Sequence, residues 1–140
     1  MAVLFAFKAS AIEKSELVGT WTMTMNEQGM TMISTYDFQE DGTMKQLTIV
    51  NSTSPKMNIM GEGVAEYQID GDAISFKILP ESVNFTTFEI EGLPDEMKGM
   101  VQQQMIGEMV KGNQKLSNVK IDGNTMTATE QGQTVTFKKN

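Results

Sequence analysis

Thirteen methionines, eighteen carboxylates and eleven lysines are the side chains with chemistry to offer in this 140-residue chain, which has no Cys, no His and no Arg. Thiolate nucleophiles, imidazole bases and ordinary zinc or haem sites are therefore out of reach. No guanidinium fork is available to hold a carboxylate or phosphate at two points. Glu62 and Glu66 share a face of one strand, but two strand repeats set them roughly 13 Å apart, too far for a glycosidase pair. Asp70-Gly71-Asp72 lacks the rest of a calcium loop and reads as a hairpin turn. Met23 with Met25, and Met30 with Met32, offer same-face thioethers of the kind that suit Cu(I), although M-x-M is also plain strand alternation. These patterns predict no catalytic residue, no metal site, no cofactor and no enzyme.

Charge narrows the partners. The net charge of −7 and the dispersed lysines argue against nucleic acid, which needs clustered cations, and equally against anionic membranes. No segment is long enough to span a bilayer as a helix. An apolar run from Ala2 to Phe7, followed by Ala9-Ser10-Ala11, has the A-x-A pattern that precedes signal cleavage. Residues 1–15 are thus expected to be the remnant of an export signal or a disordered N-terminus, and residues 16–140 a single domain.

The elements that must position these side chains are mostly strands. From Glu16 to Met25 the residues Leu17, Gly19, Trp21, Met23 and Met25 alternate with Val18 and three threonines. Met30, Met32, Ser34, Tyr36 and Phe38 mark a half-buried second strand, and Glu40-Asp41-Gly42 a tight turn. Thr43 to Val50 is a third strand whose inward face is ambiguous, because both faces are mixed. Met57 to Ile69 is long, with Met57, Ile59, Gly61, Gly63, Ala65, Tyr67 and Ile69 on its apolar face; the two glycines predict a bend or bulge. Ala73 to Leu79 follows with Ile74, Phe76 and Ile78 inward. Near Thr86-Thr87 the apolar phase slips by one residue, another bulge signal. Pro94 to Gly112 predicts one late amphipathic helix, with Asp95 and Glu96 at its positive end and Met97, Met100, Val101, Met105 and Met109 on one side. Three short strands close the chain: Leu116 to Ile121, Thr125 to Thr129 and Thr134 to Lys138.

Successive hairpins with one long curved strand predict a mainly β fold, an antiparallel up-and-down barrel of about eight to nine strands. Leu17-Val18-Gly19-Thr20-Trp21, followed by the Tyr36-Asp37-Phe38 strand and the Asp41-Gly42-Thr43 turn, resembles the start of the calycin superfamily. The nearest likeness is to small bacterial lipocalin-like domains. That resemblance implies structural roles for Gly19, where backbones approach closely, and for Trp21, packed across the closed end of the barrel. Lipocalins set an Arg from a late strand against that Trp; with no Arg here, Lys138 is the nearest substitute. The helix departs from the family by preceding the final three strands.

The expected function is that of a non-enzymatic, exported bacterial protein, periplasmic or extracellular, which binds a small apolar or lipid-like ligand. Met23, Met25, Met32, Tyr36, Phe38, Ile59, Tyr67, Phe76 and Met105 are the candidate ligand-binding residues, and a monomer is expected. The alternative is a structural or protein-interaction module in which the methionines simply fill the barrel and no ligand enters.

Overall fold

The computed structural model describes residues 11–111 and 114–140. The expected signal remnant thus falls mainly outside the described residues, as does the helix stop at Gly112. A helical turn α1 (Lys14–Leu17) leads into β1 (Gly19–Glu27), β2 (Met30–Phe38), β3 (Thr43–Thr53), β4 (Lys56–Asp70) and β5 (Ala73–Ile78). After a short 3₁₀ turn come β6 (Asn84–Ile90), α2 (Asp95–Lys111), β7 (Gln114–Asp122), β8 (Thr125–Glu130) and β9 (Gln133–Lys139).

Antiparallel ladders link eight strands in the order β3-β2-β1-β9-β8-β7-β5-β4, and a β3–β4 ladder closes the ring. Closure leaves the ring itself without a free edge. β6 is a ninth strand outside the ring. It exists because β4, at 15 residues, is long enough for one of its edges to serve two partners. Ala65–Asp70 pair with β5, while Met57–Glu62 pair with β6. Thr86 has no opposite number, since Met60 pairs with Thr87 and Gly61 with Phe85; this is the bulge expected from the phase slip.

The two ends of the barrel differ. The turns after β2, β4 and β7 gather at one end, and there the interior is solid. Trp21, Phe38, Phe137, Met44, Ile74, Leu116 and Met126 are fully buried. Phe38 stacks edge-on against Tyr67 at 5.2 Å between ring centres, and Tyr36 lies 5.4 Å from Phe137. Such aromatic pairs add to the burial of their area.

α1 seals this end and corrects the expected start of the first strand. Glu16 reaches back to the Glu13 N–H at 3.3 Å, a capping interaction that turns the chain helical where alternation predicted a strand. Leu17 is wholly buried, and its carbonyl accepts the Trp21 Nε1–H at 2.8 Å. The strand therefore begins at Gly19, whose φ of +134° an L side chain rarely adopts. A Cβ there would stand 2.7 Å from Lys139 Cε. The cation against the tryptophan is Lys139, not Lys138: its Nζ lies 5.4 Å from the Trp21 ring, which it faces across the β1–β9 pair. Lys138 points the other way and donates to Thr125 Oγ1 at 3.2 Å, because neighbouring strand residues face opposite sides.

The late helix runs from Asp95 and lies beside β5. Its methionine stripe is divided. Met97 and Met100 are 39% and 52% exposed, whereas Val101, Met105 and Met109 are half-buried against the barrel.

Candidate functional site

The half of the barrel opposite α1 is hollow. It holds a cavity of about 260 Å³, and pairing registers explain its position. On the inner face Met23 stands across from Ser34, Ser34 from Thr48, and Thr48 from Gly61. One step along, Tyr36 faces Gln46 and Gln46 faces Gly63. Two inward positions of β4 thus carry no side chain, and their partners on the adjacent β3 are the polar Gln46 and Thr48. β6 supplies Phe85, whose ring would meet a Cβ on Gly61 at 3.3 Å. Met105 and Met109 of α2 complete the wall.

Most of the lining is apolar: Met23, Met32, Val50, Ile59, Ala65, Ile78, Val83, Phe85 and the two helix methionines. A smaller polar set comprises Ser34, Tyr36, Gln46, Thr48, Glu62 and Glu130. Ser34 is 3% exposed, the one buried polar residue among those described. Gln46 Nε2 donates to Thr48 Oγ1 at 3.3 Å. Burial pushes the Glu130 carboxyl above the ordinary glutamate range. Burial also lifts the Tyr36 hydroxyl, and the nearby Glu130 charge adds to that rise. Tyr36 is accordingly a neutral hydrogen-bonding group at any physiological pH.

Five of the candidate ligand-binding residues meet at this cavity: Met23, Met32, Tyr36, Ile59 and Met105. Phe38, Tyr67 and Phe76 do not line it. They pack with one another and with Tyr36 at the solid end, where the Tyr67 hydroxyl donates to the Gln39 carbonyl. Met25 packs against the core without lining the cavity. Gly19 and Trp21 lie at the sealed end, away from it.

The two glycines of β4 were legible in the sequence as a bend or bulge, and Tyr36 as a lining residue, but Gln46, Thr48, Glu62 and Glu130 were not singled out as lining. The register could have found Gln46 and Thr48, because the Glu40-Asp41-Gly42 turn fixes which residues of β3 face Tyr36 and Ser34. Glu130 sits beside a hairpin turn, where a glutamate is unremarkable by type. Nothing in the sequence pattern distinguishes it.

Among the described residues no three His, Cys, Asp or Glu side chains gather to hold a metal ion, and no helix is long and apolar enough to cross a membrane. No protein-family model matches the chain, and no curated protein matches it either. The closed eight-stranded antiparallel barrel is consistent with a lipocalin-like fold.

Proposed function

We propose that this chain is an exported, non-enzymatic, lipocalin-like protein that binds a small apolar molecule in the hollow half of its barrel. The cavity of about 260 Å³ beneath the α2 methionines carries the reading. Its size sets the scale of the ligand. A cavity of ~150 Å³ holds benzene, so this one suits a molecule of about ten non-hydrogen atoms. Methionines at the contact surface let the wall adapt to the shape of its guest.

Calycin membership is supported by Gly19-x-Trp21 at the sealed end, with a late-strand lysine over the indole in place of arginine. Export is supported by the Ala9-Ser10-Ala11 pattern after an apolar run. The non-enzymatic reading is supported by a lining whose titratable groups are two glutamates and a tyrosine, in a chain that has no His or Cys.

Calorimetric titration with octan-1-ol, a neutral molecule of the right size, tests the reading. One molecule is expected to bind per chain. Thr48→Phe, which places a ring in the cavity, is expected to abolish the signal while far-UV circular dichroism stays that of the parent. Absence of binding to the parent protein, with no small molecule retained in native mass spectrometry, would sink the proposal.

A further inference from the structure

The polar side of the cavity has one sign. Its titratable residues are Tyr36, Glu62 and Glu130, all acids, and no lysine lines it. Glu62, between the inward Gly61 and Gly63, is exposed, while Glu130 is half-buried inside. No described residue hydrogen-bonds the hydroxyl of Ser34 or Tyr36, yet no sealed-off polar atom lacks a partner. Both residues line the cavity, so their hydroxyls can serve a molecule that enters it.

These groups discriminate between ligand heads. A carboxylate entering here would lose its water and meet Glu130 with no cation to balance it. A neutral alcohol would find acceptors and donors in Ser34, Tyr36, Gln46 and Thr48. An ammonium would find the same acceptors and a carboxylate as well. Its three donors match oxygens on more than one wall, and hydrogen bonds to charged groups are the stronger ones. The half-buried position of Glu130 strengthens the attraction relative to a surface pair.

We propose that the cavity selects a primary amine with an apolar body, its ammonium seated between Glu130 and the Ser34 and Tyr36 hydroxyls and its body among Met23, Met32, Ile59 and Met105. This rests on the cavity being a binding site, as proposed above, and adds the class of ligand. The carboxylates of fatty acids are excluded by the same groups.

Titration with three molecules of one chain length, octylamine, octan-1-ol and octanoate, tests the inference on the whole protein. Octylamine is expected to bind at least about tenfold more tightly than the alcohol, and octanoate more weakly than either. Glu130→Gln is expected to bring the amine-to-alcohol ratio to about one, because only the charge-assisted part of the contact is lost. Glu89→Gln removes the same charge from an exposed position on β6 and is expected to leave that ratio unchanged. Octanoate binding as tightly as octylamine would overturn the inference, as would a ratio unaffected by Glu130→Gln. Octan-1-ol binding without any preference for the amine overturns this inference alone. Failure of all three molecules to bind overturns the carrier reading with it. Should the Glu130 variant not fold, the three-molecule comparison on the unaltered protein still decides.

Discussion

Glu130 carries a cost that pH can reveal. Its carboxyl titrates above the ordinary range because burial disfavours the charged form. The folded state therefore holds this proton more tightly than the unfolded chain does. Its contribution to stability is fully present below the unfolded value of about pH 4.3, and is lost as pH rises through the folded value. Glu130→Gln is expected to melt with the parent at pH 3.5 and above it at pH 7, a gap that thermal scans across that range would trace. At the sealed end, Gly19 does a different kind of work. Its φ of +134° is the main obstacle to a side chain, since the Lys139 atom within 2.7 Å belongs to a flexible chain that can swing aside. Gly19→Ala is expected to destabilise by about 1–3 kcal/mol in urea titration, because the backbone strain stays even when Lys139 moves. Displacing Lys139 also ends its contact with Trp21.

The strands were legible where one face is buried and the other wet. Ser34, Tyr36 and Phe38 are buried and alternate with less buried residues, and the slip at Thr86 was visible because Phe85 and Phe88 keep facing inward on either side of the bulge. β3 was opaque because Gln46 and Thr48 face inward onto a cavity, so its inner face is as polar as its outer one. Leu17 was misplaced because a helical turn and a strand can each bury one apolar residue, and the Glu13–Glu16 cap that decides between them is weak by type alone. α2 was readable from its start at Pro94 and the acidic first turn, while the division of its methionines depended on where the barrel wall stops. This helix touches the barrel mainly along β5. Gly99 and Gly107 have open space where a Cβ would go, so both accept Ala without a clash. Each replacement is expected to stabilise the helix by about 1 kcal/mol. Hydrogen exchange in residues 95–111 of the double variant should slow by roughly 30-fold if the helix opens locally, with little change elsewhere. Slower release of a bound ligand should accompany it.

At the scale of the molecule, the barrel is two half-barrels with different duties joined by continuous strands. One is packed solid around Trp21, Phe38 and Phe137; the other is hollow beneath α2. Truncations should therefore differ in cost by position more than by residue size. Phe137→Ala, which opens a new void in the sealed half, is expected to cost about 3–5 kcal/mol. Met32→Ala enlarges a void that already exists and is expected to cost less than about 2 kcal/mol, with the two compared by denaturant midpoint at equal slope.

The shared edge of β4 is what separates the halves. One stretch of it is tied into the ring through β5, and the other carries β6, a strand the ring does not need in order to close. A protein built this way holds its architecture and its selectivity in different accounts of the same sequence. If the cavity binds as proposed, mutational drift in its lining can trade one guest for another while the ring keeps folding as before, so descendants of this chain would diverge in cargo long before they diverge in shape.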